Sequence, residues 1–287
     1  MITVYPFQLQ LGPFAITGYG LMMMVAFLMA GWAMQLDLRG RGLGEEYAAD
    51  IVIAAVVGGL VGAKLWYVIM NHEYDALFRR GGFVWYGGFV GGVVAVLLNG
   101  WRLRIPARYT MELTAPALAL GYALGRVGCF LVNDDYGIPT SLPWGMKFPQ
   151  GLPPTTVANM ARLHVTFPPG ANPQDVVAVH PTEIYETIAM LLVFTYLWRL
   201  RNHRHALGWR FGVYLVLAGV ERFLVEFVRA KDDRIFGALS VAQVTSILVV
   251  LTGIAVMVWL RAPDQAPVTI PQRLMPAPPP PAPARAS

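Results

Sequence analysis

Apolar residues run along this chain in blocks of about twenty, separated by shorter segments where arginine, glycine and proline collect. Seven blocks stand out, at roughly 15–36, 48–70, 84–100, 109–131, 180–199, 207–228 and 238–260. A block of that length crosses the ~30 Å hydrocarbon core of a bilayer as a helix. In lipid a spanning backbone must satisfy its own hydrogen bonds, and a helix does so within one segment. The third block is short, and the fourth is interrupted by Pro116 and several glycines. The pattern predicts an all-α polytopic membrane protein with about seven transmembrane helices.

The segments between the blocks differ in kind. Residues 132–179 form the one long connection, rich in proline and glycine. Long loops in compact proteins are usually functional or disordered. Trp144, Phe148 and Phe167 among the prolines predict a folded cap at the membrane interface; a mobile connector is the plainer alternative. Gly58, Gly59, Gly62 and Ala63 give the second block a small-residue face, suited to close packing of another helix. Residues 262–287 hold four consecutive prolines and little that could build a core, so a disordered tail is expected after a helical domain at 1–261.

Composition changes this picture only in detail. The chain has 287 residues, 56% hydrophobic and 14% charged, with a mean hydropathy of +0.50. Soluble domains carry about 25% charged residues, so lipid is the expected solvent for most of the surface. The net charge of +5 is modest and implies no nucleic-acid partner. Lysine and arginine favour an outside amino terminus and a cytoplasmic carboxyl terminus. On that orientation the inner loops hold ten of them and the outer segments, counting Arg79, Arg80 and Lys231, hold seven. Residues 1–13 contain no Lys or Arg, so no cleavable signal peptide is expected. Cys129 is the single cysteine, which excludes an internal disulfide.

Charges inside apolar blocks are the candidate chemistry. Arg126 lies in the fourth block, and Arg222, Glu226 and Arg229 in or just beyond the sixth. A charge at mid-membrane costs about 2.5–3.5 kcal/mol and usually faces the bundle interior. On a continuous helix, Arg222, Glu226 and Arg229 would fall within roughly 60° of one another. An Arg222–Glu226 salt bridge with Arg229 reaching out to the surface would explain those three without function. Arg126 has no carboxylate within a helical turn, and arginines converging on one cavity suit a phosphate. The fifth block opens with His180-Pro-Thr-Glu-Ile-Tyr-Glu186. Acidic residues there are also ordinary partners of a helix amino terminus. Tyr86-Gly87-Gly88 and Asn133-Asp134-Asp135-Tyr136-Gly137 place polar groups beside glycines that permit close approach of a ligand. An aromatic belt and a plain turn are the respective alternatives. Asp134 and Asp135 lack further ligands at useful spacing, so no metal is expected.

Taken together these segments resemble the bacterial prolipoprotein diacylglyceryl transferase family. The matching pieces are Thr17-Gly-Tyr-Gly20, Trp85-Tyr-Gly-Gly88, Gly125-Arg-Val-Gly-Cys-Phe130 running on to Gly137, His180 to Glu186, and Arg222-Phe-Leu-Val-Glu226 with Arg229. They cover about 15–261. The resemblance implies a monomeric seven-span inner-membrane enzyme with a central lipid-binding cavity, an extracytoplasmic head loop and no cofactor. It would move the diacylglyceryl group of phosphatidylglycerol to the lipobox cysteine of preprolipoprotein signal peptides, making a thioether and releasing glycerol phosphate. Tyr19, Arg126, Gly137, Glu186, Arg222, Glu226 and Arg229 fall on the family's functional positions. Three positions depart from the usual pattern: Cys129 replaces an asparagine, Asp134 stands where a glutamate is expected, and Tyr86 replaces a histidine. Arg126, Arg222, Glu226, Tyr86 and Asp134 are therefore the candidate catalytic residues. Tyr19, Gly87, Gly88, Cys129, Asn133, Gly137, His180, Glu186 and Arg229 are the candidates for substrate binding. A phenol with a pKa near 10 is a poor base at neutral pH, so the thiol proton would go to Glu226, Asp134 or His180, with Glu226 preferred. A paralogue with another acceptor or lipid, or a lipid-binding or translocating protein without chemistry, remains open. Small-anion transport is the weakest reading, because the two halves show no internal repeat.

Overall fold

A computed structural model describes residues 2–12, 14–78, 81–163, 165–230, 234–235, 239–263 and 270–275. Each of the seven apolar blocks is a helix. They are α1 (Gly18–Gly40), α2 (Glu46–Asn71), α3 (Trp85–Arg102) and α4 (Ala107–Val132), then, after the short α5 (Val157–Ala161), α6 (Thr182–Arg199), α7 (Trp209–Val225) and α8 (Val241–Trp259). Four of these, α1, α2, α4 and α8, are long and apolar enough to cross a membrane. Arg79, Arg80 and Lys231, three of the cations used to set orientation, lie outside the described residues. The chain divides into two compact units, 1–30 with 114–263 and 31–113 with 264–287.

In the first unit, α7 and α8 pack through glycines. A Cβ on Gly212 would stand 2.9 Å from the Gly253 carbonyl oxygen, and one on Gly219 3.0 Å from that of Ser246. Ala119 and Ala123 of α4 join Met190, Leu197 and Val213 in the buried core beneath them. Ser240 opens α8 with a capping box, its hydroxyl accepting from Gln243 N while the Gln243 side chain accepts from Ser240 N.

The long connection is folded. Met146–Lys147 pairs in parallel with Ile2–Thr3, and bridges join Pro139 and Met146 to Val179 and Thr156 to Val176. Tyr136, Phe148, Met160 and Val179 form its buried core. Tyr136 stacks on Phe148 with ring centroids 5.4 Å apart and donates its hydroxyl to the Pro153 carbonyl. Burial pushes the Tyr136 phenol up to about 12, which keeps it a neutral donor.

The second unit rests on α2 against α3. The predicted small-residue face meets a matching one, Gly58 and Gly62 against Gly87 and Gly91. A Cβ on Gly62 would lie 2.3 Å from the Gly87 carbonyl oxygen, and one on Gly87 2.2 Å from the Trp66 Cβ. Gly87 was expected to let a ligand approach; the close approach here is α2's instead, because small residues four apart on both helices let the backbones touch. Gly88 lies against the same helix, where a Cβ would meet Ala63 and the Gly59 carbonyl oxygen at 3.4 Å. Elsewhere in this unit Arg41 binds two buried carboxylates, Asp37 at 3.0 Å and Glu112 at 3.2 Å, and the Tyr47 and Thr110 hydroxyls lie 2.6 Å apart. Most of the tail lies outside the described residues, but 270–275 departs from the expected disorder. Leu274 is fully buried, the Gly44 amide donates to its carbonyl at 2.8 Å, and Arg273 pairs with Asp50 at 3.1 Å.

Candidate functional site

Six charged side chains of the first unit form one continuous network. Arg126 on α4 donates from Nη1 to Asp135 Oδ2 at 2.5 Å and from Nη2 to Glu186 Oε1 on α6. Arg229 takes the same two carboxylates, with Nη2 on Asp135 Oδ1 and Nη1 on Glu186 Oε1 at 3.3 Å. Arg222 Nη1 donates to Glu226 Oε2 at 2.6 Å, and Arg229 Nε lies 3.8 Å from that oxygen. The Tyr122 hydroxyl donates to Glu186 Oε2 at 2.5 Å.

The backbone that brings them together is specific. The α4 helix is capped by Asn133, whose amide still reaches the Cys129 carbonyl (2.9 Å) while its φ of +60° turns the chain away. Such a left-handed cap suits asparagine. The Asn133 side chain is buried and donates to the Val4 carbonyl at 3.3 Å, so this candidate binding residue has a structural task. Beyond it the Asp135 carbonyl accepts from Thr182 Oγ1 (2.8 Å), the Gly137 amide donates to the His180 carbonyl (2.8 Å), and Ile138 N donates to the Val228 carbonyl (2.9 Å). The exit of α4, the entry of α6 and the exit of α7 are thus stitched together at Gly137. A Cβ there would sit 2.2 Å from the Val228 oxygen and 2.9 Å from both His180 Cβ and Thr182 Cγ2. Glycine is needed at that crossing for space.

Arg229 arrives by a different route from the one its spacing predicts. The α-helix ends at Val225, residues 226–228 tighten into a 3-10 turn, and Arg229 is extended at φ −78°, ψ +145°. Its side chain turns inward and is 4% exposed, so it does not reach out to the surface. The cause is the pairing of the Val228 backbone with Ile138, which draws the chain out of the helix.

Burying charges is costly unless they are paired, and here three guanidiniums meet three carboxylates. Access is graded along the network. Side-chain exposure falls from 26% at Arg222 through 17% at Asp135 and 12% at Arg126 to 4% at Arg229 and none at Glu186. The Nε atoms of Arg126 and Arg229 are both buried without an acceptor. Arg222 and Arg126, at the two ends of the network, are therefore its more approachable arginines for an incoming anion, whereas Arg229 and Glu186 between them are sealed.

The other candidates distribute unevenly. Tyr19, at the start of α1, packs on Gly128, where a Cβ would lie 3.3 Å from the Tyr19 Cα. Asp134 interacts electrostatically with Tyr19 and Cys129, and Arg126 Nη1 lies 3.6 Å from the Cys129 sulfur. His180 pairs with Tyr185, whose hydroxyl lies 3.2 Å from Nδ1 and accepts from Trp144 Nε1 at 2.8 Å. Tyr86 belongs to the second unit, exposed and edge-on to Trp85. Asp135, Tyr122, Glu183 and Glu221 were not among the expected site residues. Asp135 was visible in the sequence beside Asp134, but nothing there tells which carboxylate bridges the arginines.

Comparison with known proteins comes to the same place. The profile of a family described as prolipoprotein diacylglyceryl transferase matches residues 6–259. A phosphatidylglycerol–prolipoprotein diacylglyceryl transferase of Clostridium tetani is 31% identical over 88% of this chain and 96% of its own length. Proteins of the same name are also 31% identical in Cupriavidus pinatubonensis, over 92% and 96%, and in Stenotrophomonas maltophilia, over 93% and 94%.

Proposed function

Because the chain belongs to the prolipoprotein diacylglyceryl transferase family, we propose that the arginine–carboxylate network is where it holds the phosphate of its lipid substrate. The enzyme transfers the diacylglyceryl group of phosphatidylglycerol to prolipoprotein. In the reading offered here the acceptor is the lipobox cysteine thiol: its sulfur attacks a glyceryl carbon, a thioether forms, and glycerol phosphate leaves. A phosphodiester needs several donors at once, and Arg222 and Arg126, the two more exposed arginines of the network, offer them. Charge that grows on the departing phosphate oxygen is stabilised by the same guanidiniums, which are already oriented and need no reorganisation. Glu226, Glu186 and Asp135 act by positioning them. Arg229 ties the two halves of the network from inside. Tyr19, Cys129 and Asp134, clustered beside Arg126, face the lipid head group, and Gly137 maintains the crossing on which Asp135 and Arg229 depend.

The single observation that carries this reading is the network itself, three arginines on three carboxylates with Arg222 and Arg126 the more exposed of the three. Its test is a lipid-to-peptide transfer assay with Arg126→Ala. Losing one oriented donor lowers turnover by roughly 100- to 1,000-fold; full activity in that variant would remove Arg126 from the site.

The same reading places α1 to α4 and α6 to α8 across the bacterial inner membrane as seven crossings. The amino terminus and the folded 132–179 connection would lie outside and the carboxyl terminus in the cytoplasm. The seven helices and the arginine bias support it. Reporter fusions at 140–145 and after 261 would check it, with the first reporting outside and the second inside. A single copy holds all six network residues, which supports a monomeric enzyme.

A further inference from the structure

One accessible carboxylate at this site is committed to nothing. Glu226 is held by Arg222 at 2.6 Å; Asp135 is shared by Arg126 and Arg229; Glu186 receives both of those and the Tyr122 hydroxyl. To accept a proton, each would give up an ion pair. Among the described residues around the network, Glu183 and Glu221 are the carboxylates with neither hydrogen bond nor ion pair. Glu183 is sealed, fully buried with both oxygens enclosed. Glu221 is only half-buried.

Its placement is set by α7. Counting back one and two turns from Glu221 gives Ala218 and Tyr214, both packed against the buried core of Ala119, Ala123, Met190, Leu197 and Val213, and one turn forward is buried Val225. Glu221 therefore rides on the helix face that looks inward. The charged and titratable groups it meets electrostatically are Tyr122 and Arg126 on α4, Glu186 on α6, Tyr214 and Arg222 on α7, and Arg229 beyond it. An unpaired carboxylate among apolar helices is costly to keep, so a sequence that retains one beside three arginines has a use for it.

We propose that Glu221 is the proton acceptor for the attacking thiol, an assignment that rests on the transferase reading above. The thiol proton passes to the Glu221 carboxylate as the sulfur–carbon bond forms. The glyceryl carbon–oxygen bond breaks with its electron pair moving to the phosphate oxygen, and the proton leaves with the product or to water. Arg222, the next residue, holds the phosphate while Glu221 stands beside it, so donor and base come from one turn of helix. This answers the departure at Tyr86, where the resemblance leads one to expect a histidine.

The test uses the full chain in phosphatidylglycerol vesicles with a lipobox peptide, following thioether formation from about pH 5 to 9, with Glu221→Gln and Glu221→Asp. The expected result is a loss of roughly 100-fold or more in Glu221→Gln, with the acid limb of the rate profile abolished and lipid binding retained. Glu221→Asp should recover a good part of the rate with its acid limb shifted. Near-normal turnover in Glu221→Gln, an unaltered acid limb, or an equal loss of lipid binding would overturn the assignment. If the unaltered protein makes no thioether at any pH, the transferase reading itself fails and Glu221 with it.

Discussion

Two arginine–carboxylate clusters are built into the apolar helices of this protein, and they differ in make-up. In the second unit one guanidinium, Arg41, is divided between Asp37 and Glu112, both buried, at 3.0 and 3.2 Å. Arg41 itself is 24% exposed, about as much as Arg222. In the first unit three guanidiniums are threaded through three carboxylates, the outermost arginine is a quarter exposed, and Arg126 keeps a buried donor without an acceptor. Pairing alone therefore does not mark a site in a membrane protein, because a buried charge is costly unless it is paired. Exposure does not separate them either; what does is that three guanidiniums converge on shared carboxylates in the first cluster, where the second has one.

The comparison is most readily broken at Arg41. Arg41→Ala strands two buried carboxylates and should lower stability by about 3–5 kcal/mol, measured by thermal or denaturant unfolding in detergent, while transfer per folded molecule stays near normal. A loss of turnover without a loss of stability would mean that the second cluster is also part of the site. Next in size is the contrast between neighbours. Asp135→Asn removes a charged partner from Arg126 and Arg229 and should cost about 1.5–3 kcal/mol of transition-state stabilisation, a roughly 10- to 100-fold fall in kcat/KM. Asp134→Asn should fall less, and the reverse order would show that the candidate read from the sequence was the better one. The smallest effect is at the crossing. Gly137→Ala places a methyl group against the Val228 carbonyl and should destabilise by about 1–3 kcal/mol, with activity falling as Arg229 is displaced; an unfolding midpoint equal to that of the parent would contradict the tight crossing.

Much of this was legible beforehand, for physical reasons that differ by element. The helices were readable because a lipid-exposed backbone leaves the chain no alternative to helix. Arg126, Arg222, Glu226 and Glu186 were readable because charge is conspicuous where it is expensive. Arg229 was found for the wrong reason. Helical spacing put it on the face of Arg222, but a 3-10 turn and pairing of Val228 with Ile138 bring it in from an extended strand. Asp135 was missed because the choice between adjacent aspartates depends on the left-handed turn at Asn133 and on Thr182 tying down the Asp135 carbonyl. Both are long-range facts. Gly87 looked like room for a ligand when its space belongs to α2, and a proline-rich composition hid the buried Leu274 and the paired Arg273.

The central claim is that the more exposed arginines of the first cluster bind the lipid phosphate and the second cluster does not. Its most direct test is the affinity of the purified protein for phosphatidylglycerol, compared between Arg222→Ala and Arg41→Ala under conditions where both remain folded. Loss of a charge-assisted phosphate contact predicts about a tenfold or greater weakening in Arg222→Ala and none in Arg41→Ala. Equal affinities in the two variants would contradict the account.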